Sequence, residues 1–361
     1  MMMSLYISLL KKYKILHLGP EDNGTTSQRL NALNELGHNV KSIFYIRKTD
    51  QPSYTLNQKI TYKKIKRFMF RKIGYPIEHN NENQVLLNES ISFSPDLIFI
   101  EKGLTIKKKT LLKIKKYINK TIIISFSLDD MLNPDHQSKY YLSSLALYDI
   151  HFTNKTYNVP ELYDLGAKKV YYLSNAFCSK EHVKIELSND EFLKYKSDIT
   201  FVGGYEKARA EDIYYIAQNG FSVRVWGNNW HKCKYKHQNI QYEYRAAYGI
   251  EYSKIISASK ITLGFLRKIN RDEETTRTVE LTAMGGFMLA ERSDAQKKLF
   301  FEKIDAEYFS DKEELLEKIK YYLKNSNSRL EIALNGYHKC LDLKLSQIDK
   351  MDELLRYCFS N

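Results

Sequence analysis

The sequence predicts an α/β protein made of two open parallel sheets, each wrapped by helices. Three observations predict it. Short apolar runs bounded by polar turns alternate with helical patterns along the whole chain. The first 45 residues read as strand, helix, strand, and handedness rules make that the start of a parallel sheet. At 361 residues the chain is long for one hydrophobic core and comfortable for two domains.

Residues 13–19 form a short strand running into a glycine-bearing loop, followed by a helix over 25–36 that Gly37 stops and a second strand over 39–45. The loop Gly19-Pro20-Glu21-Asp22-Asn23-Gly24 lacks the GxGxxG spacing, which gives a dinucleotide site little support. Strands follow at 96–100, 121–126, 149–153 and 168–173, with helical segments at 82–93, 106–118, 137–146 and 156–164. The polar stretch 175–196 reads as the linker, so the expected domains are 1–180 and 181–361. In the second domain strands are expected near 198–202, 221–226, 260–265, 286–290 and 306–308, with helices between them, and helices from 311 onward close it. Open sheets of this kind bind ligands at the carboxyl ends of their strands, here in a cleft across which the two domains face. The distinctive loops all follow strands: Gly19–Gly24, Asp129-Asp130, Gly203-Gly204, Trp226-Gly227-Asn228-Asn229 and Arg267.

Composition narrows the class. A hydrophobic content of 43% with 13% aromatics belongs to a folded chain, not a disordered one. Cys178, Cys233, Cys340 and Cys358 are scattered without a CxxC pair, which suits a reducing cytosol. No apolar run approaches the ~20 residues of a membrane span. Residues 1–10 are apolar, but Lys11, Lys12 and Lys14 follow them, the reverse of a secretory signal, so a cytoplasmic protein with a short leader is expected. The net charge of +13 calls for an anionic partner. Residues 107–116 read as a solvated helix face. The basic cluster at 63–72, with Phe68, Met69 and Phe70 inside it, is the candidate for peripheral contact with anionic lipid at a membrane surface. A nucleic-acid binder would exploit the same charge, but no recognition motif supports one.

The segment 275–292 carries the most chemistry. It reads as a short helix opened by threonines and closed by Gly285-Gly286, then a buried strand, Phe287-Met288-Leu289-Ala290. Arg277 and Glu280 are three apart and share one helical face, with Thr278 between them. A helix N-terminus suits a pyrophosphate, and an ionised Glu can accept both hydroxyls of a ribose. Paired glycines let a backbone approach a ligand. The alternative is a surface Arg–Glu pair on a helix that only packs on a sheet.

This segment resembles the donor-binding segment of the CgeB-like (spore-maturation type) glycosyltransferases, a family of GT-B fold. Other pieces resemble that family in the same order: Ser197-Asp198-Ile199-Thr200-Phe201-Val202-Gly203-Gly204, Val223-Arg224-Val225-Trp226-Gly227, Ile261-Thr262-Leu263-Gly264-Phe265-Leu266-Arg267 and Asp311-Lys312-Glu313-Glu314-Leu315. The resemblance is good across about 197–340 and looser before. It implies transfer of a sugar from a nucleotide diphosphate to a bacterial glycan, lipid-linked or protein acceptor. The expected donor residues are Gly203, Gly204, Arg209, Trp226, Gly227, Arg267, Arg277, Thr278, Glu280 and Gly285. Rival readings are a catalytically idle nucleotide-binding relative and a nucleotide-sugar epimerase.

Such a transferase must neutralise a leaving diphosphate and deprotonate an acceptor hydroxyl. The chain has no Asp-x-Asp, so phosphate stabilisation by cations and helix N-termini, with neither metal nor other cofactor, is expected. Asp272, eight before Glu280, echoes the paired acids of retaining enzymes, although a solvated loop accounts for it better than sugar contact. The base is sought in the first domain. Asp129 and Asp130 are the leading pair, since one of two adjacent carboxylates can have its pKa raised, although adjacent Asp residues are also ordinary turn material. Glu101 and His17 are reserves. His231, Cys233 and His237 have metal-like residue types but no fourth ligand at a sensible spacing.

Overall fold

The structure, a computed structural model, describes residues 11–21, 24–46 and 62–360. The expected leader at 1–10 lies outside them. The chain divides into two units, residues 1–174 with 348–361, and residues 175–347.

Unit one carries a six-stranded parallel sheet in the order β2-β1-β3-β4-β5-β6. Its strands are β1 (Lys14–Pro20), β2 (Asn39–Ile46), β3 (Leu97–Glu101), β4 (Ile122–Ser127), β5 (Ile150–Thr153) and β6 (Val170–Tyr172). All five residues of β3 are buried, because helices cover both faces and the strand must be apolar on both. Alternation sorts the side chains: Leu16, Leu18, Ile98, Ile100 and Ile123 join Tyr141 and Tyr148 in one layer. Ile15, Leu97, Phe99, Ile124 and Phe126 form the other.

That second layer is completed by the last helix, Gln347–Phe359, whose Met351, Leu354, Leu355 and Cys358 pack into it. The spacing i, i+3, i+4, i+7 puts these four on one stripe. Tyr13 stacks on Phe359 at 3.7 Å between ring centroids. The expected boundary kept this helix in the second domain. An amphipathic period shows that a helix has a buried face but not which sheet it covers.

Unit two repeats the plan with the order β12-β11-β10-β7-β8-β9. Its strands are β7 (Ser197–Val202), β8 (Val223–Trp226), β9 (Ile240–Tyr242), β10 (Ser259–Gly264), β11 (Met288–Glu291) and β12 (Glu307–Phe309). From β7 the chain runs outward through β8 and β9, then returns to lay β10 on the other side of β7. That reversal is the topological switch point, where open sheets leave a crevice beyond the strands' carboxyl ends. Strand β9 and the helices Tyr62–Lys72 and Asn189–Tyr195 were not anticipated as elements. None of the four cysteines forms a disulfide. Among the described residues no helix is long and apolar enough to cross a membrane.

Candidate functional site

At the switch point of unit two the turns after β7 and β8 are tied together. Gly203 N–H donates to the Trp226 carbonyl at 2.8 Å and Tyr205 N–H to that of Asn228 at 2.9 Å. The Trp230 indole N–H donates to the Gly203 carbonyl at 2.8 Å. Gly227, at φ +149°, has no room for a side chain, since a Cβ would collide with that same carbonyl. A Cβ on Gly203 would lie 3.3 Å from Nη1 of Arg277. The Phe201 ring, closer still at 2.6 Å, shares this space with the guanidinium.

Three arginines converge on this point. Arg209, on the helix Lys207–Gln218, is only 4% exposed and donates from Nη1 to the Gly204 carbonyl at 2.9 Å. Its Nη2 lies 3.1 Å from Glu206 Oε1, yet the angle makes no hydrogen bond and that nitrogen is buried without one. Arg267, after β10, donates from Nε to the same Glu206 oxygen at 3.1 Å. Arg277 sits with its guanidinium carbon 5.8 Å from the centre of the Phe201 ring, and Arg209 lies 5.4 Å from that ring. The Nε of Arg277 is buried and unpartnered. Burial first, then the nearby Arg277 charge, pull the Arg209 pKa down to about 10. The acids in reach are Glu206 and Asp272. Asp272 already accepts from the Arg267 backbone N–H at 3.3 Å and from Asn270 Nδ2 at 2.7 Å. Desolvated like charges with unfilled donors are the electrostatic form of an anion site.

Arg277 and Glu280 lie on the eight-residue helix Thr276–Ala283, which leads from β10 to β11, so its N-terminus faces the same crevice. Glu280 is largely buried. The hydroxyl of Tyr252, from the helix Gly249–Ser257, lies beside it, and burial followed by the Glu280 charge raises the tyrosine pKa well above 10. The geometry falls short of a proper hydrogen bond.

Gly203, Gly204, Arg209, Arg267, Arg277 and Glu280 thus gather round β7 and β10, with Gly227 buttressing the first turn. Three other expected donor residues have different surroundings. Trp226 is fully buried between Arg224 and Arg245, whose guanidinium carbons are 4.8 and 4.7 Å from its ring, so no face is open to a base. The Thr278 hydroxyl accepts from Thr275 N–H at 3.2 Å and donates to Gln296 at 2.8 Å, which occupies it in capping and packing. Gly285, at φ +71°, stops the helix, with its N–H on the Thr282 carbonyl at 2.9 Å. It lines a groove with Lys196, Ser197 and Ser259 at the amino ends of β7 and β10, opposite the arginines.

In unit one Asp129 and Asp130 follow β4 as expected. Asp129 pairs with Lys102. Asp130 is buried, accepting from Leu132 N–H at 3.1 Å and Asn158 Nδ2 at 3.0 Å, the pattern of a turn former. His17 and Glu101 come together: Glu101 Oε1 is 3.1 Å from His17 Nε2, and Arg29 contacts both carboxylate oxygens at 3.1 and 2.7 Å. Burial alone would raise the Glu101 pKa, but Arg29 and His17 outweigh it and hold the carboxyl far below the usual range. An acid so held is a poor base. Cys233 Sγ lies 3.5 Å from the Tyr242 hydroxyl and His237 Nδ1 accepts from Asn239 N–H at 3.2 Å. Among the described residues no group of three His, Cys, Asp or Glu side chains is arranged to hold a metal ion. Glu206, Tyr252 and Arg29 escaped the sequence reading: Tyr252 and Arg29 matter through partners distant in the chain, as does Glu206 through Arg267.

The chain matches a family model described as glycosyl transferase-like over residues 209–355. No curated protein matches it. A glycosyltransferase from Rickettsia africae ESF-5 is similar in structure, with a TM-score of 0.65 at 12% identity, covering 98% of this chain and all of that one. Anabaena HepE in complex with UDP-glucose is similar at 0.65 and 12%, covering 97% of this chain and 100% of that chain. The sucrose-phosphate synthase of Thermosynechococcus elongatus is similar at 0.65 and 11%, covering 96% and 99%. The chain thus has the two-unit α/β architecture of the GT-B fold and matches a glycosyl transferase-like family model over residues 209–355.

Proposed function

We propose that the protein transfers a sugar from a nucleoside diphosphate bound at the carboxyl ends of β7 and β10. Arg209, Arg267 and Arg277 neutralise the diphosphate as it leaves, aided by the partial positive charge of the helix tip at Thr276. Glu280 accepts the ribose hydroxyls, which orients the sugar. These cations make a protein-bound metal unnecessary for stabilising the leaving group. The acceptor is a bacterial glycan, a lipid-linked glycan or a protein, and its base is sought in unit one. The finer CgeB-like reading rests on the resemblance of residues 275–292. One observation carries the proposal: buried Arg209 and half-exposed Arg267 share the Glu206 carboxylate, Arg277 reaches the same turn, and Arg209 Nη2 and Arg277 Nε are buried without a hydrogen bond. HepE was solved with UDP-glucose, so UDP is the first nucleotide to try.

A thermal-shift screen against UDP, GDP, TDP and their sugars tests the binding half, because a ligand of the folded state raises the unfolding temperature by mass action. No shift with any of them sinks the proposal. Release of nucleoside diphosphate in the presence of mixed acceptors tests the transfer half. Binding without release points to an idle relative, and interconversion of donor sugars to an epimerase.

A further inference from the structure

The helix Tyr62–Lys72 of unit one contributes no residue to the arginine site, and its exposure is unusual. Ile65, Phe68 and Met69 recur at i, i+3 and i+4 and so form one stripe. In an ordinary surface helix that stripe faces the core. Here Ile65 is 47% exposed, Phe68 63% and Met69 60%, and Ile73 just beyond the helix is 57% exposed. The flanks are exposed as well, at Lys66 and Arg71, while Lys72 shares the stripe, its ammonium 6.0 Å from the centre of the Phe68 ring. The attachment is at the C-terminal end, where Arg71 Nη2 donates to the Asp135 carbonyl at 2.7 Å and Lys72 pairs with the Asp135 carboxylate at 3.2 Å. Lys139 N–H donates to the Gly74 carbonyl at 2.8 Å. An isolated helix of 11 residues is marginal in water, since most helical stability comes from packing an apolar face. This one therefore presents a large unpacked surface.

Its charge says what would cover it. Between Asp50 and Glu78 the sequence holds seven cations, Lys59, Lys63, Lys64, Lys66, Arg67, Arg71 and Lys72, and no acid. Cations alone would suit any polyanion. Bulky apolar side chains interleaved with them suit a surface that is anionic outside and hydrocarbon beneath. Nucleic acid would use the charge and leave Phe68, Met69 and Ile73 wet. A second copy of this chain would bring the same seven charges against themselves.

We propose that this helix is an interfacial anchor that lays Ile65, Phe68, Met69 and Ile73 into an anionic lipid bilayer while Lys66, Arg71 and Lys72 meet the headgroups. The full-length protein would be sedimented with phosphatidylcholine vesicles made with and without phosphatidylglycerol. The expected result is binding that needs the anionic lipid and weakens by roughly tenfold or more in Phe68→Ser/Met69→Ser and also in Lys64→Gln/Lys66→Gln. Both variants should keep the parent unfolding temperature and nucleotide response, because none of the four residues belongs to the arginine site. Three outcomes would overturn the proposal: equal partitioning onto neutral and anionic vesicles, vesicle binding untouched by either pair of substitutions, or preference for duplex nucleic acid that ignores Phe68 and Met69. Self-association abolished by the Phe68→Ser/Met69→Ser pair, with no vesicle binding by the parent protein, would assign the face to a second copy instead.

Discussion

Arg209 and Arg267 approach the same oxygen: Glu206 Oε1 lies 3.1 Å from Nη2 of the first and 3.1 Å from Nε of the second. One carboxylate thus holds two guanidiniums side by side, and Arg277 approaches the same turn from another helix. Replacing Arg209 by Gln removes a desolvated cation without adding bulk. Its effect should follow phosphate charge: UDP affinity should fall roughly ten- to a hundredfold, the usual size for hydrogen bonds to charged groups, and UMP affinity much less. Calorimetric titration of both nucleotides measures the difference. Equal losses for the two would place Arg209 away from the diphosphate.

The buried pair in unit one predicts stability, not catalysis. Glu101 has its pKa held low by Arg29 and His17, so it stabilises the fold at any pH above the ordinary carboxylate value. That contribution is lost as pH falls below about 4, from the unfolded-state pKa down through the depressed folded one. Glu101→Gln strands the Arg29 charge and should cost about 3 kcal/mol at neutral pH. The penalty should shrink in acid. Denaturant melts of the two proteins across pH give both numbers.

Asp212 has the opposite sign. Burial, then the nearby Glu291, push its carboxyl up to about 6. The folded state keeps a proton that the unfolded chain releases near 4, so stability declines as pH rises from about 4 to about 6. Asp212→Asn should remove that decline and stabilise the protein by about 1 kcal/mol above pH ~6, read from melting temperatures between acid and neutral buffer. The full linkage value of ~3 kcal/mol is cut by solvent screening at this partly exposed site.

Gly285 tests the separation between helix stop and ligand site. Its φ of +71° is strained for any residue with a Cβ, and that Cβ would press on the flexible Lys184 side chain at 3.1 Å. Gly285→Ala should lose about 1 kcal/mol with nucleotide affinity unchanged, in the same calorimetric assay.

How much of this was legible varies by residue. Strands such as β3 and β7 announce themselves as short apolar runs because both faces of a parallel sheet are covered. The Arg277–Glu280 spacing lies within one helix and could be read directly. Trp226 and Gly285 were misassigned because a motif gives position along the chain, not which end of a sheet a turn reaches or which neighbours cover a ring. Glu206, Tyr252 and Arg29 meet their partners only after folding. The strand β9 is three residues long, too short for any period to show.

The central claim is that Glu280, beside the Thr276–Ala283 helix tip, grips a nucleotide ribose. Calorimetric titration of UDP, GDP and TDP into the parent protein and into Glu280→Gln tests it most directly. The account predicts that at least one of the three binds the parent and loses roughly ten- to a hundredfold in affinity in the variant, with the unliganded melting temperature preserved. Identical affinities in a folded Glu280→Gln protein would contradict it.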